Sequence, residues 1–206
     1  MSIDTLVEAV VLAINDTSFE DVVEDYINLG RGEIAGLVDL PALLTVATVA
    51  TTATANTVAL PATYSRNLFW VSNATGRIGK PGRGYYDLMG YLSRNPIAQT
   101  GPIFDVCVQG NSILYQGAAV DTLTLRFYAE PTSEEPDELP THLQKPLLFN
   151  YACKEIFNLI EDGIEGAKVN TNKYERDFNM ALGKLAAWAE GIKPREPKVM
   201  ADSQWW

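Results

Sequence analysis

Histidine and cysteine are scarce in this chain, which narrows the chemistry it can perform. The one histidine, His142, stands two residues after Pro140 in a predicted turn. Ser–His–Asp and Cys–His mechanisms would depend on it, because they need a base that titrates near neutral pH. The sequence also lacks the G-x-S-x-G nucleophile motif. We therefore interpret His142 as a surface or capping residue, and we predict that the chain is not an enzyme.

The two cysteines, Cys107 and Cys153, fall in different predicted elements and have no CxxC partner. Together with His142 they lack the short paired spacings of a zinc site. We predict two buried, reduced thiols and no cofactor or metal, although the sequence leaves a disulfide open.

Long apolar runs are also missing. No segment approaches the roughly 20 apolar residues that a membrane helix needs. The first residues, MSIDTLVEAVV, have no basic leader before their apolar side chains. We therefore expect neither a signal peptide nor a membrane partner.

A glycine-rich stretch, GRIGKPGRG at residues 76–84, invites comparison with a phosphate-binding loop. Ala74 stands where the first glycine should be, and Pro81 replaces the hydroxyl residue and lacks an N–H. The comparison fails at both positions. A basic contact loop formed by Arg77, Lys80 and Arg83 is the functional interpretation that is left, and a plain surface turn is the alternative.

Basic residues are outnumbered, and the net charge is −10. An acidic chain is a poor candidate for gripping nucleic acid, but an acidic wall suits a channel through which DNA slides. Residues 1–60 hold nine acidic residues and one basic residue, whereas residues 61–100 hold five basic residues and one acidic residue. This division favours head-to-tail packing between copies, with chance clustering on solvated faces as the alternative.

Helical periodicity predicts a helix over residues 3–14, and Thr17 and Glu20 form a capping-box pattern at the start of a second helix. Glycines at 30, 32 and 36 indicate close packing or a bend near its end. Its polar face is acidic. We predict that these carboxylates and a second acidic corner form a solvated or channel-facing surface, and that a catalytic carboxylate pair is a much weaker alternative. The channel-facing candidates are Glu20, Asp21, Glu24, Asp25, Asp162 and Glu165.

Residues 41–130 have the character of a β module. Two short Thr/Val-rich strands meet near Ala55–Asn56, further strands cover residues 68–72 and 122–129, and Gly110–Asn111 predicts a hairpin between residues 105–109 and 112–116. A polar linker is expected at residues 130–140. Two helices follow, one from about Pro146 to Asp162–Gly163 and one from about Glu165 or Asn172 to Glu190.

The end of the chain, residues 193–206, contains Pro194 and Pro197 and finishes in Trp205 and Trp206. Tryptophan is a preferred interface anchor, so we predict that this extended tail docks on a partner. A frayed terminus is the alternative.

The predicted fold class is therefore α+β. Two N-terminal helices (1–40) and a C-terminal helical hairpin (140–192) form a helical body. An antiparallel β-sandwich or barrel-like module (41–130) is inserted into it, and the whole chain, 1–206, is expected to be one domain.

Three stretches resemble the head–tail adaptor (connector) proteins of tailed bacteriophages. They are LPALLTVATV…TVALPATYSRNLFWVSNATGRIGKPGRGYYDLMGYL, DVCVQGNSILYQGAAVDTLTLRFYAEP and LLFNYACKEIFNLIEDGIEGAKVNTNKYERDFNMAL. The chain is similar in role to tail tubular protein A of short-tailed phages. The resemblance implies a ring, commonly of twelve copies, in the neck of the virion, assembled in the host cytoplasm. Its partners would be the portal protein, a tail or head-closure protein, and DNA that passes without sequence-specific binding.

Two other functions deserve comparison. A carbohydrate- or receptor-binding β module on the virion surface could stack sugars on Tyr64, Trp70, Tyr85 and Tyr86, although these rings could equally fill the β core. A hydrolase acting through carboxylates is the third and weakest candidate.

Overall fold

The computed structural model describes residues 1–52, 55–74, 76–78, 103, 106–115, 120–162 and 168–192, apart from the Arg77 side chain. The chain divides into two compact units. The helical unit comprises residues 1–41 and 133–206, and the β unit comprises residues 42–132. The predicted α+β class, with a β module inserted into a helical body, is confirmed. The tail, 193–206, lies outside the described residues.

The two N-terminal helices pack against each other. Helix α1 spans Ile3–Ile14, begins at the Ser2 cap and ends at Asn15, which has a φ of +56°. Helix α2 spans Glu20–Leu37. The predicted capping box is wrong: the Asp16 side chain accepts from the Ser18 N–H and starts a 3₁₀ turn at Thr17–Phe19, from which α2 continues. Aspartate is among the best helix caps, and here it replaces Thr17.

The helix predicted to start near Pro146 starts earlier. An α-helical turn at Thr141–Gln144 and a π-helical turn at Lys145–Phe149 lead directly into α3, Asn150–Glu161. Pro146 therefore lies inside a helical segment, and the wider π turn accommodates its missing N–H. Helix α4 spans Val169–Ile192, close to the predicted range.

The helical unit is held together by one apolar core. Each helix contributes the side that the 3.6-residue period predicts. The fully buried side chains of this core include Leu6, Val10, Val23, Ile27, Ile34, Leu147, Leu148, Ile156 and Leu185.

The β unit consists of two antiparallel sheets. The described residues form seven strands: β1 (Leu44–Ala50), β2 (Thr57–Ala59), β3 (Tyr64–Asn73), β4 (Gly76–Ile78), β5 (Val106–Gln109), β6 (Ser112–Tyr115) and β7 (Thr122–Ala129). The four-stranded sheet has the order β1-β7-β3-β4, and the three-stranded sheet has the order β2-β6-β5. The two Thr/Val-rich strands predicted next to each other thus belong to different sheets.

One core joins the inner faces of both sheets, which fits the sandwich or barrel-like module that was predicted. Buried side chains of β7 alternate with outward ones, as the period of two requires. The predicted hairpin at Gly110–Asn111 is confirmed, and Gly110 has a φ of +55°, which suits glycine. The core residues are Leu60, Leu68, Val71, Ile78, Ile103, Val106, Ile113, Tyr115, Leu123, Leu125 and Phe127.

Residues 130–140 are not the simple polar linker that was predicted. Pro136, Glu138 and Leu139 are buried in the helical unit. The Glu135 side chain accepts from the Ile3 N–H at 3.1 Å, at the start of α1. Residues 133–140 are therefore part of the packed helical unit.

Candidate interaction surfaces

The predicted acidic face exists on α2. Helix α2 buries Val23, Ile27 and Ile34, while the carboxylates on its opposite side are exposed. These carboxylates are Glu20, Asp21, Glu24 and Asp25. None of them forms an ion pair with a described residue, so all four charges face solvent.

Arg31 is the single basic side chain of residues 1–40, and it is buried. Its side chain is 5% exposed and makes two hydrogen bonds to the Glu138 carboxylate, at 2.8 Å from Nε and 3.0 Å from Nη2. Nη2 also donates to the carbonyl oxygens of Ser133 (2.9 Å) and Glu135 (3.0 Å). The charged side chains on the solvent-facing surface of the N-terminal helices are therefore all acidic.

The second predicted acidic corner is described only in part. Asp162 is exposed just after α3, with an oxygen 3.5 Å from Lys168 Nζ. Glu165 lies outside the described residues. The sequence analysis missed Glu161, whose carboxylate accepts from the N–H groups of Asn170 (3.0 Å) and Thr171 (3.1 Å) at the start of α4.

Glu161 acts as a cap because a carboxylate at a helix N-terminus satisfies free N–H donors and favours the helix dipole. Burial raises the pKa of this carboxyl. Hydrogen bonds from Thr171 and Asn170 together outweigh that effect, so its pKa lies below the ordinary value. Its position ten residues before Thr171 gives no recognisable sequence signal.

The predicted basic loop is partly a strand. Residues Gly76–Ile78 form β4 and pair with β3, Arg77 opposite Ser72. The Arg77 side chain, Lys80 and Arg83 lie outside what the structure describes, as do Trp205 and Trp206. The structure therefore does not bring these partner-contact candidates together or separate them.

The outward face of the four-stranded sheet carries a surface that the sequence analysis did not identify. We call Leu44, Val46, Phe69 and Arg126 the outer-sheet patch. Arg126 lies opposite Val46 on one side and Trp70 on the other, with its guanidinium carbon 5.7 Å from the centre of the Trp70 ring. Phe69 packs on Tyr128, with ring centres 6.0 Å apart. Val46 is 57% exposed and Phe69 is 41% exposed.

The position of Tyr64 does not support the sugar-stacking alternative. Its ring packs against the β core, 5.4 Å from the ring of Phe127. Trp70 lies on the outward face beside Arg126, while Tyr85 and Tyr86 lie outside the described residues. Tyr64 thus fills the β core, which was the other interpretation of these rings.

The histidine and the two cysteines differ in their exposure to solvent. His142 is exposed in the helical turn Thr141–Gln144. Both cysteines are buried, and burial raises the pKa of the Cys153 thiol to about 12. Among the described side chains, no three His, Cys, Asp or Glu residues are grouped to hold a metal ion.

The described helices include none with the length and apolar character needed to cross a membrane. This finding concerns the ranges given above and accords with the amphipathic pattern of each helix.

Comparison with known proteins places this chain among the structural adaptors of phage particles. A sequence model described as SU10 adaptor protein matches residues 1–198. The chain belongs to the SU10 adaptor protein family, a family of phage head–tail adaptors, and it is a virion component of that class. No curated protein matches the chain.

Proposed function

We propose that this adaptor forms a closed ring of twelve copies below the portal, joins the phage head to the tail, and leaves a channel for DNA. The family match over residues 1–198 is the observation that carries the proposal. The division of charge supports it. The helical unit holds 10 basic and 22 acidic residues, and the β unit holds six basic and four acidic residues. Unlike charge on two parts of one subunit suits head-to-tail contacts.

The acidic face of α2 is proposed to approach the DNA path, together with Asp162 and Glu165. Its four carboxylates are exposed and unneutralised by described cations. Like charge keeps phosphates from sticking to a channel wall, because binding to DNA depends on neutralising phosphates and releasing counterions. DNA would therefore pass without sequence-specific binding.

Two further segments are proposed to contact protein partners. The basic stretch with Arg77, Lys80 and Arg83 would meet an acidic neighbour, and the tail with Trp205 and Trp206 would dock on a neighbouring copy, the portal, or a tail or head-closure protein. Indole rings bury a large apolar area and still donate a hydrogen bond. The protein would act in the neck of the virion, after assembly in the host cytoplasm. No catalytic activity is proposed.

The ring is tested by native mass spectrometry and negative-stain imaging of the purified protein, with and without its portal protein. A twelvefold ring with an open centre is the expected result. A protein that stays monomeric at every concentration and does not bind the portal protein would contradict the proposal.

Removal of residues 194–206 tests the tail separately. We expect the shortened chain to fold as before and to lose attachment to the portal or ring closure. Unchanged assembly and unchanged attachment would remove the tail from the proposal and leave the ring intact.

A further inference from the structure

The outer-sheet patch is cationic at its centre and apolar around it. The other outward residues of this face carry no carboxylate among the described positions. They are Thr48 and Ala50 on β1, Thr122, Thr124 and Tyr128 on β7, and Arg66, Trp70 and Ser72 on β3. Arg126 is exposed and makes no ion pair with a described residue. Its contact with Trp70 holds the guanidinium over the sheet. A surface of this composition favours a partner that offers a carboxylate beside an apolar group.

Such a combination is present on the solvent side of α1. Asp4, Glu8 and Leu12 recur every four residues and therefore form one stripe, about 12 Å long at 1.5 Å per residue. Leu12 is 81% exposed, although the same helix buries Leu6 and Val10 completely. We call these three residues the α1 stripe. The basic side chain of the N-terminal helices, Arg31, does not compete for its carboxylates, because it is buried against Glu138.

We infer that the α1 stripe of one copy docks on the outer-sheet patch of a second copy. Asp4 and Glu8 pair with Arg126, and Leu12 packs on Val46 and Leu44. The dimensions agree, because Val46 lies about 5 Å from Arg126 across the strands and about 7 Å from Leu44 along β1. This inference rests on the proposed ring and names the contact that closes it.

The contact is head-to-tail. Every copy offers one stripe and one patch, which are different surfaces, so repetition of the contact gives a ring when the rotation closes. Helix α2 has the same spacing in Asp21, Asp25 and Leu29, but the α1 stripe is preferred because Leu12 is 81% exposed whereas Leu29 is 57% exposed, so Leu12 offers more apolar area to a protein interface. The two acidic surfaces thus have separate roles.

Charge reversal tests the contact. Arg126→Glu makes the patch acidic, and the pair Asp4→Lys and Glu8→Lys makes the stripe basic. Each variant alone should need at least about tenfold more protein for half-assembly, since like charges then meet at the interface. An equimolar mixture of the two variants should regain assembly, because the acidic patch of one meets the basic stripe of the other, and the unchanged surfaces also match. Native mass spectrometry over a concentration series measures both effects.

Two further variants sharpen the test. Glu20→Lys with Glu24→Lys reverses two charges on α2 and should assemble like the unaltered protein. Leu12→Ser alters an exposed side chain without touching the core and should weaken assembly. Circular dichroism verifies that each variant is folded.

The outcomes separate the inference from the proposed function. An unaltered protein that never forms a ring would overturn the proposed ring and this contact together. A ring formed equally well by the unaltered protein, Arg126→Glu and Leu12→Ser would overturn the contact alone. Loss of assembly that mixing does not restore would also overturn it, because a contact within one chain cannot be repaired by a second variant.

Discussion

Arg31 organises the packing of residues 133–138 against α2. Its guanidinium satisfies the Glu138 carboxylate and two backbone carbonyls at once, and it also donates to the Asn28 side chain at 3.2 Å. Burying these charges is tolerable only because the bidentate pair and the carbonyls replace water. The residue is therefore structural and lies outside the proposed interfaces.

Arg31→Met should destabilise the protein by about 3–5 kcal/mol, because it leaves the Glu138 charge buried and two carbonyls unpaired. Denaturant titration of the purified monomer measures the free energy of unfolding. Arg176→Ala is the matched control, because Arg176 is exposed and its pair with Asp177 should contribute less than about 0.5 kcal/mol. A loss below about 1 kcal/mol at Arg31 would show that water or another group compensates.

At the scale of elements, α2 and α3 meet through a glycine. A Cβ atom on Gly30 would lie 2.6 Å from Cδ1 of Tyr151, whereas one on Gly32 would meet nothing within 4 Å. The Tyr151 ring is buried, and its hydroxyl donates to Glu33 at 2.8 Å. The ring therefore has little freedom to move away, and the two helices require a residue without a side chain at position 30.

Gly30→Ala and Gly32→Ala should thus have opposite effects on stability. The first forces a clash and should cost about 1–3 kcal/mol, while the second adds helix propensity at an open site and should gain about 0.5–1 kcal/mol. Thermal and denaturant unfolding of both variants make the comparison. Equal effects of the same sign would show that α2 and α3 are not packed through Gly30.

The cap on α4 makes its own prediction about pH. A carboxyl whose pKa is lower in the folded chain stabilises the fold above its unfolded pKa, near 4.5, and loses that contribution as pH falls through the folded pKa. Glu161→Gln should therefore lower the melting temperature at neutral pH. The difference from the unaltered protein should shrink as the pH drops below 4.5. A difference that stays constant across this range would show that the charge of Glu161 does not matter to the cap.

Much of this architecture follows from local pattern. The period of α1, the alternation of β7 and the Gly110 turn depend on neighbours along the chain, and all three were predicted with close boundaries. The Arg31–Glu138 pair joins residues 107 positions apart, so neither partner identifies the other in the sequence. The start of the helical segment before Pro146 was missed because proline is normally excluded from a helix interior, whereas here the π turn accommodates it.

The surfaces were predictable to a different degree. Charge counting identified the acidic face of α2, because a helix face follows from spacing alone. The outer-sheet patch was not predictable, since the register of β3 against β7 shifts between Arg66 and Trp70. Asn67, with a φ of +54°, lies in that shift. An irregularity of this kind breaks strict alternation and brings Phe69 and Trp70 to the outward face together.

At the scale of the whole molecule, the β unit is an insertion that leaves and re-enters the helical unit on neighbouring strands. Leu44 of β1 is the cross-strand partner of Tyr128 of β7. Their Cα atoms are therefore about 5 Å apart. A short linker can span that distance without altering the ends of the helical unit.

A chain in which a short Gly-Ser linker replaces residues 44–128 should fold on its own. We expect a helical circular dichroism spectrum and a cooperative thermal transition, because the helical core draws on residues of both flanking segments. The full-length chain serves as the control. A broad, noncooperative transition would show that the helical unit needs the β unit for stability.

The same adjacency of Leu44 and Tyr128 has an evolutionary consequence. Genetic exchange between phages can replace the DNA for this insertion as a single cassette, since its two junctions meet at one point in space. Lineages can therefore diversify the module while the helices, with the buried Arg31–Glu138 pair, are inherited unchanged.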